Sequence, residues 1–362
     1  MALLSGPGSS GVRMSRVIAL GFCALVIAAL GTAALAAQDE KITTLHAYSN
    51  LVQIPVLVLG HNRKPMPPIA ERRFFVSLDN GPRFRVTHAR LEGDDPISLA
   101  ILLDLRQPDP RLIKKIDDAI AGLSPVSLHA IDHVSVYSMD CSLERSTEDT
   151  ATDATTLKQH VDVVLASWRA RGQKRAKDCQ KPWQLWDSIA AITRVLSRQP
   201  GRRVILAVTD GIDQGSKNPW NEVREFAQER GVAIFGLIRP EDPSNVASGI
   251  RRGQDDELIF NSLCELTGGF LLTSEEKDLA KQLAWFVTLV RARYIVEFPR
   301  PRNTTVGHYG MEITIEKTSA FIRSTGIGLP VDDPAILNDP TTVPSDPSNA
   351  PALGKRKMLA PH

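Results

Sequence analysis

Apolar positions along the chain change period twice, and the two changes mark out its parts. From Leu51 to Leu59 they alternate, with Val52, Ile54, Val56 and Val58 on one side, and turn-forming residues follow at 60–68. Residues 74–78 and 83–89 read as further short strands, separated by the hairpin signal Asp79-Asn80-Gly81-Pro82. A few short strands cannot bury both of their faces alone. At Ile97 the pattern becomes continuous: Ile97-Ser98-Leu99-Ala100-Ile101-Leu102-Leu103 carries no charge and stops at Asp104. Such a run predicts a strand buried on both faces, hence a central strand of a mainly parallel sheet. Behind it, Asp109 is suited to cap a helix and Pro110 to open it, and Leu112, Ile113, Ile116, Ala119, Ile120 and Leu123 recur at helical spacing.

Strands and helices then alternate. Residues 133–139 and 143–146 read as strands, 155–169 and 184–198 as helices, and 203–209 as a buried strand closed by Asp210-Gly211. A helix at 219–230, a strand at 232–238, a helix at 258–267, a strand at 270–273 and a helix at 277–291 complete the series. The fold class this predicts is α/β, a doubly wound, mainly parallel sheet. Period-two strands return at 294–298, 310–316 and 320–325. Strands from both flanks are therefore expected to share one small β-sandwich-like module. The expected partition is a flanking β module from 37–95 and 293–329, an α/β domain at 96–292, and a Pro-rich tail at 330–362 without a sustained apolar period, expected to be disordered.

The start of the chain reads differently. Arg13 and Arg16 precede an apolar stretch at 17–35, and Ala34-Leu35-Ala36 has the small-x-small form of a cleavage site. Residues 1–36 are expected to be a secretory signal peptide, opened at Met1 or Met14, with an uncleaved anchor as the rival reading. The mature protein is then exported, to the periplasm, the cell surface or the medium, with no membrane insertion after cleavage. Removal of the leader leaves 41 basic against 41 acidic residues. A neutral chain has no long-range field that draws it to nucleic acid, and the basic stretch at 169–181 lacks an aromatic ladder, so it reads as a solvated loop.

Export also bears on the cysteines. Cys23 falls in the leader, and Cys264 lies on a helical apolar face with Phe260 and Leu263. Cys141 and Cys179 sit in loops and are the expected disulfide, three buried free thiols being the alternative. No His/Cys group has the spacing of a structural zinc site.

The acid closing the first buried strand and Thr209-Asp210-Gly211-Ile212-Asp213 closing a later one resemble the von Willebrand factor A-type domain, in particular exported bacterial VWFA-related proteins. Leu185-Trp186-Asp187-Ser188, Leu266-Thr267-Gly268-Gly269-Phe270 and Arg293-Tyr294-Ile295-Val296 add to the resemblance, which runs over residues 52–325. It implies a module that binds other proteins, often through a divalent cation held by Asp-x-Ser-x-Ser, a Thr before a middle helix and a later Asp. Mg²⁺ wants about six hard oxygens, and hydroxyls beside carboxylates leave one position open for a partner. Asp104 and Asp210 stand at the acid positions, but Arg106 and Pro108 replace the two serines and Trp183 falls near the Thr position.

The resemblance therefore implies a degenerate site and no obligatory cofactor. A guanidinium from Arg106 is expected to neutralise Asp104 and Asp210, and the same acids read equally as caps of the following loops. The alternative is a reduced adhesin-like site in which Asp104, Asp210 and Asp213 hold Mg²⁺ or another divalent cation. Partner contact is expected from Arg106, Trp183 and Trp220, although Trp186 and Trp220 also read as core. Catalysis is not expected. No Gly-x-Ser-x-Gly elbow, phosphate loop or dinucleotide glycine pattern occurs, and a hydrolase built on Asp104 is the least favoured reading. The partner itself is a protein whose identity the chain does not disclose.

Overall fold

The computed structural model describes residues 51–106, 110–124, 126–146, 150–151, 153–171, 179, 182–240, 254–301, 307–324, 327–329 and 352–354, all within one compact unit, Tyr48–His362. The expected leader, Cys23, Pro108, Asp109, most of the basic stretch and most of the tail lie outside the described residues.

The N-terminal strands are β1 (Leu51–Leu59), β2 (Phe74–Leu78), β3 (Phe84–Arg85) and β4 (His88–Leu91). The α/β part contains β5 (Ile97–Asp104), α1 (Pro110–Ala121), β6 (His133–Met139), β7 (Leu143–Arg145), β8 (Thr150–Ala151), α2 (Ala154–Arg171) and α3 (Leu185–Leu196). It continues with β9 (Arg202–Val208), α4 (Trp220–Glu229), β10 (Val232–Ile238), α5 (Gln254–Leu266), β11 (Leu271–Thr273) and α6 (Leu279–Arg291). The last strands are β12 (Arg293–Pro299), β13 (Gly307–Tyr309), β14 (Met311–Ile315), β15 (Phe321–Ser324) and β16 (Ile327–Leu329).

The central sheet runs in the order β11-β10-β9-β5-β6-β7, with β8 also paired to β6. β5, β6, β9, β10 and β11 are parallel, and β7 and β8 are antiparallel to β6. β7 returns antiparallel because only residues 140–142 join it to β6, far too short a connection for a parallel crossover. The chain winds outward from β5 through β6 and β7, then crosses back to β9 and winds outward the other way. β5 and β9 therefore flank the topological switch point, and their carboxyl ends open the crevice where ligands of such sheets bind.

Every residue of β5 is buried, so its period of two divides between two cores. Leu99, Ile101 and Leu103 join Leu206 and Phe235 against Ile116, Val161, Leu165, Leu283 and Phe286 of α1, α2 and α6. Ala100 and Leu102 join Ile205 and Ile234 against Ile189, Ile192, Val223, Phe260 and Cys264 of α3, α4 and α5.

Strands from both flanks pair with one another. One antiparallel sheet has the order β15-β1-β12-β4 and another β14-β2-β3, while β13 pairs with β16. The two larger sheets enclose a third core that includes Val52, Ile54, Val56, Phe74, Val76, Tyr294, Val296 and Ile313. Leu57 and Leu59, pointing to the other face of β1, join the core of the α/β part. At that junction Arg293 and Glu92, each 1% exposed in the side chain, form an ion pair at 2.9 Å.

Within the expected tail, residues 352–354 are described and pack on the β module. The Gly354 N–H donates to the Leu78 carbonyl at 3.0 Å and Leu353 packs against the third core. Gly81 and Gly354 approach so closely that a Cβ on either would meet the other's backbone nitrogen, which is why this contact is confined to glycine.

Candidate functional site

Asp104 ends β5 at the switch point, and its carboxylate is engaged on every side. Arg106 lies side-on to it, Nε donating to Oδ1 at 3.0 Å and Nη2 to Oδ2 at 2.7 Å, and the Arg106 main-chain N–H donates to Oδ1 at 3.1 Å. The Thr209 hydroxyl, at the end of β9, donates to Oδ2 at 2.7 Å. The rest of the guanidinium is used as well: Nη1 donates to Gln184 Oε1 and Nη2 to the Ile212 carbonyl, both at 2.8 Å. The pair is buried, with side-chain exposures of 7% for Arg106 and 5% for Asp104. Burial opposes the charge on Arg106, but its hydrogen bonds to Asp104 and the charges of Asp104, Asp210 and Asp213 outweigh that and hold it above its ordinary pKa.

The loop after β9 is built on the same principle. Asp210 accepts the Ile212 N–H at 2.9 Å, and Thr209 Oγ1 accepts the Gly211 N–H at 3.1 Å. Gly211 has φ of 80°, the left-handed conformation that lets the chain turn across the strand end. Desolvation at the sheet edge, reinforced by Asp104, raises the Asp210 carboxyl above its usual range against the opposing pull of Ile212 and Arg106. Asp213 accepts the Gly215 N–H at 3.1 Å, the Ser216 N–H at 2.9 Å and the Ser216 hydroxyl at 2.6 Å. Ser216 Oγ in turn accepts the N–H groups of Trp186 and Asp187 at 3.1 and 3.2 Å, which ties the loop to the first turn of α3.

A divalent cation here would need oxygens that are already hydrogen-bonded. Asp104, the acid that would anchor it, spends both oxygens on Arg106 and Thr209, and a fixed positive charge already fills the position between the loops. Asp104, Asp210 and Asp213 are not gathered into one cluster of ligand atoms. Among the described residues the one such group is Asp140, Cys141 and Cys179, with ligand atoms within 4.8 Å of one another. Cys141 and Cys179 form a disulfide with a Cα–Cα distance of 5.3 Å, and Cys264 is buried and free.

The expected contact residues separate. Arg106, expected both to neutralise Asp104 and to meet a partner, pairs with Asp104 and keeps 7% of its side chain exposed. Trp186 is 5% exposed and packs near Phe260 in the second core. Trp220 packs against the same core, with the Arg224 guanidinium 5.7 Å from its ring. Trp183 is 38% exposed. It rims a cavity of about 660 Å³ between α3 and α4, lined also by Ala190, Arg194, Lys217, Val223 and Phe226. Its N–H donates to the Asp140 carbonyl at 2.9 Å, so the tip of β6 fixes it there.

Thr209, Gln184 and Asp140 carry roles that the one-dimensional pattern did not assign. Thr209 alone had a signal, its place immediately before Asp210 at a strand end. Gln184 and Asp140 matter only through what the fold brings beside them.

No protein-family model matches the chain, and no curated protein matches it. Among solved structures, it is similar to an aerotolerance-related membrane protein from Bacteroides fragilis, at 15% identity and a TM-score of 0.36, over 53% of this chain and 98% of that one. A von Willebrand factor type A protein from Catenulispora acidiphila aligns at 12% identity and a TM-score of 0.39, over 68% of this chain and 50% of its own. The vWF domain of the type V pili tip protein Mfa5 from Porphyromonas gingivalis aligns at 9% identity and a TM-score of 0.35, over 54% of this chain and 96% of its own. The strand order β11-β10-β9-β5-β6-β7, with helices on both faces and acids at the switch point, gives the central part of the chain a doubly wound, mainly parallel α/β fold.

Proposed function

We propose that the chain is an exported, non-catalytic protein-interaction module in which the Arg106 guanidinium stands where a cation would otherwise neutralise the sheet edge. The side-on pairing of Arg106 with Asp104 carries this reading, because it supplies the positive charge and occupies the oxygens that a cation would need. Partner contact falls on the neighbouring cavity, whose exposed Trp183 and apolar wall supply an aromatic anchor and a pocket for a partner's side chain. Export rests on the leader pattern of residues 1–36.

The test is the melting temperature of the chain in chelator and in millimolar Mg²⁺, Mn²⁺ and Ca²⁺, beside an Asp104→Ala variant. A ligand that binds only the folded state raises stability by RT ln(1 + [L]/Kd), about 1.4 kcal/mol for a tenth-millimolar site at ~1 mM. The expected result is no rise in any cation. A rise that Asp104→Ala abolishes would establish the metal-dependent adhesin reading instead. Contact through the cavity is read separately: Trp183→Ala should leave the melting temperature unchanged and lose the proteins that the parent chain captures.

A further inference from the structure

The tip of β6 holds a second group of chemically competent side chains. The Asp140 carboxylate and the sulfurs of Cys141 and Cys179 lie within 4.8 Å of one another. Asp140 is 6% exposed and anchored through its main chain, its N–H donating to the Ser142 carbonyl at 3.0 Å and its carbonyl accepting from Trp183 at 2.9 Å. A buried carboxylate beside two sulfurs is neutral in its effect on a disulfide, which carries no charge. Once the disulfide is opened, the same carboxylate repels the thiolates and makes them costly to form. A divalent cation removes that repulsion and uses all three groups. Two thiolates and one carboxylate oxygen suit zinc, with its tolerance for sulfur and oxygen and its four-coordinate habit, and do not suit Mg²⁺, which takes oxygen alone.

We infer that reduction of the Cys141–Cys179 disulfide opens a redox-gated zinc site, in which both thiolates and an Asp140 oxygen hold one Zn²⁺ with water as the fourth ligand. The reductant is a dithiol, or in the test a phosphine. Either delivers two electrons to the S–S bond, and two protons go to the separated sulfurs. The dithiol closes to a cyclic disulfide and supplies those protons, whereas the phosphine takes an oxygen atom from water and leaves the protons of that water. Zinc then displaces both thiol protons to solvent. The site is independent of the Arg106–Asp104 lock and of any protein partner, so it stands or falls separately from the proposed function.

The test uses the full chain, phosphine-reduced or left oxidised, with Co²⁺ as spectroscopic probe and Zn²⁺ as competitor. The reduced chain is expected to take one equivalent of Co²⁺ with sulfur-to-cobalt charge-transfer absorption, to lose that absorption on adding one equivalent of Zn²⁺, and to change its Trp fluorescence. The oxidised chain and a Cys141→Ser, Cys179→Ser double variant are expected to give no such band. Asp140→Asn keeps both sulfurs and should weaken zinc by about tenfold or more. Absence of the band in a reduced chain that keeps its far-ultraviolet circular dichroism would overturn the inference. So would unfolding on reduction alone, or zinc binding by Asp140→Asn as tight as by the parent.

Discussion

Arg106 and Asp104, two residues apart in sequence, meet side-on beneath the surface, with Nε on Oδ1 and Nη2 on Oδ2. The loop between them doubles back at the end of β5, so the acid that closes the strand is neutralised by its own following turn. Removing one partner leaves the other charged and buried, which costs roughly 3–5 kcal/mol. Arg106→Met and Asp104→Asn are each expected to lose stability of that order in urea unfolding. The double variant should lose less than the two singles added together, because it buries no unpaired charge.

Two acids near the same edge are expected to respond oppositely to pH. Burial works to raise the Asp187 carboxyl, but the N–H groups of Lys217 and Asn218, the Asn218 amide and the Lys217 charge prevail and hold it below the usual range. Its contribution is present above the unfolded-state value and lost as pH falls through the folded one. Asp210 is held above the usual range, so its contribution is present in acid and lost as pH rises through the folded value. Asp187→Asn should therefore show its largest deficit at neutral pH, shrinking toward acid. Asp210→Asn, which retains an oxygen for the Ile212 N–H, should gain at neutral pH and lose that gain toward acid. Melting temperatures between about pH 3 and 7 check both.

The disulfide closes a loop of sequence separation 38 and ties the tip of β6 to the approach to α3. On chain-entropy grounds such a closure contributes up to about 4 kcal/mol. The Cys141→Ser, Cys179→Ser double variant should melt lower than the oxidised parent, with amide exchange accelerated first at Trp183 and Gln184. An unchanged melting temperature would show that the unfolded chain is not constrained by this link.

Gly269 follows α5 and lies so close to the Ile234 carbonyl that no Cβ fits between them. That carbonyl belongs to β10, a fully buried strand paired with β9 and β11, so it has no room to retreat. Gly269→Ala is expected to cost at least the ~1–3 kcal/mol typical of overpacking, read by thermal unfolding. The preceding Gly268, with φ of 79°, should tolerate Asn better than Ala, since asparagine enters the left-handed region more readily.

Much of the fold was legible because burial leaves a one-dimensional trace. The uncharged run from Ile97 to Leu103 became a strand buried on both faces, and the helical spacing of Ile113, Ile116 and Ile120 placed α1 against one core. Local signals failed where geometry rather than periodicity decided. Residues 143–146 look like any short strand, and their antiparallel return follows from the shortness of the connection. Leu353 and Gly354 carry no sustained pattern, yet they pack because the Asp79–Gly81 turn leaves a glycine-sized gap.

By itself the sequence marked most strands and helices of the α/β part, which acids stand at strand ends, and that Arg106 and Pro108 occupy positions where the resembled motif has serines. These follow from residue chemistry and spacing. The expected strand at 83–89, by contrast, divides into β3 and β4 of different sheets, and β8, β13 and β16 carried no signal. Only the tertiary structure decided what those residues do. The return of the chain from β7 to β9 set the Thr209 hydroxyl against Asp104, and Gln184 and the Ile212 carbonyl against the Arg106 guanidinium, so that the expected counter-charge is held from three sides. It also brought Cys179 to the tip of β6 beside Asp140. Contacts between residues far apart in sequence are fixed by the order in which strands are laid down, and no local pattern encodes that order.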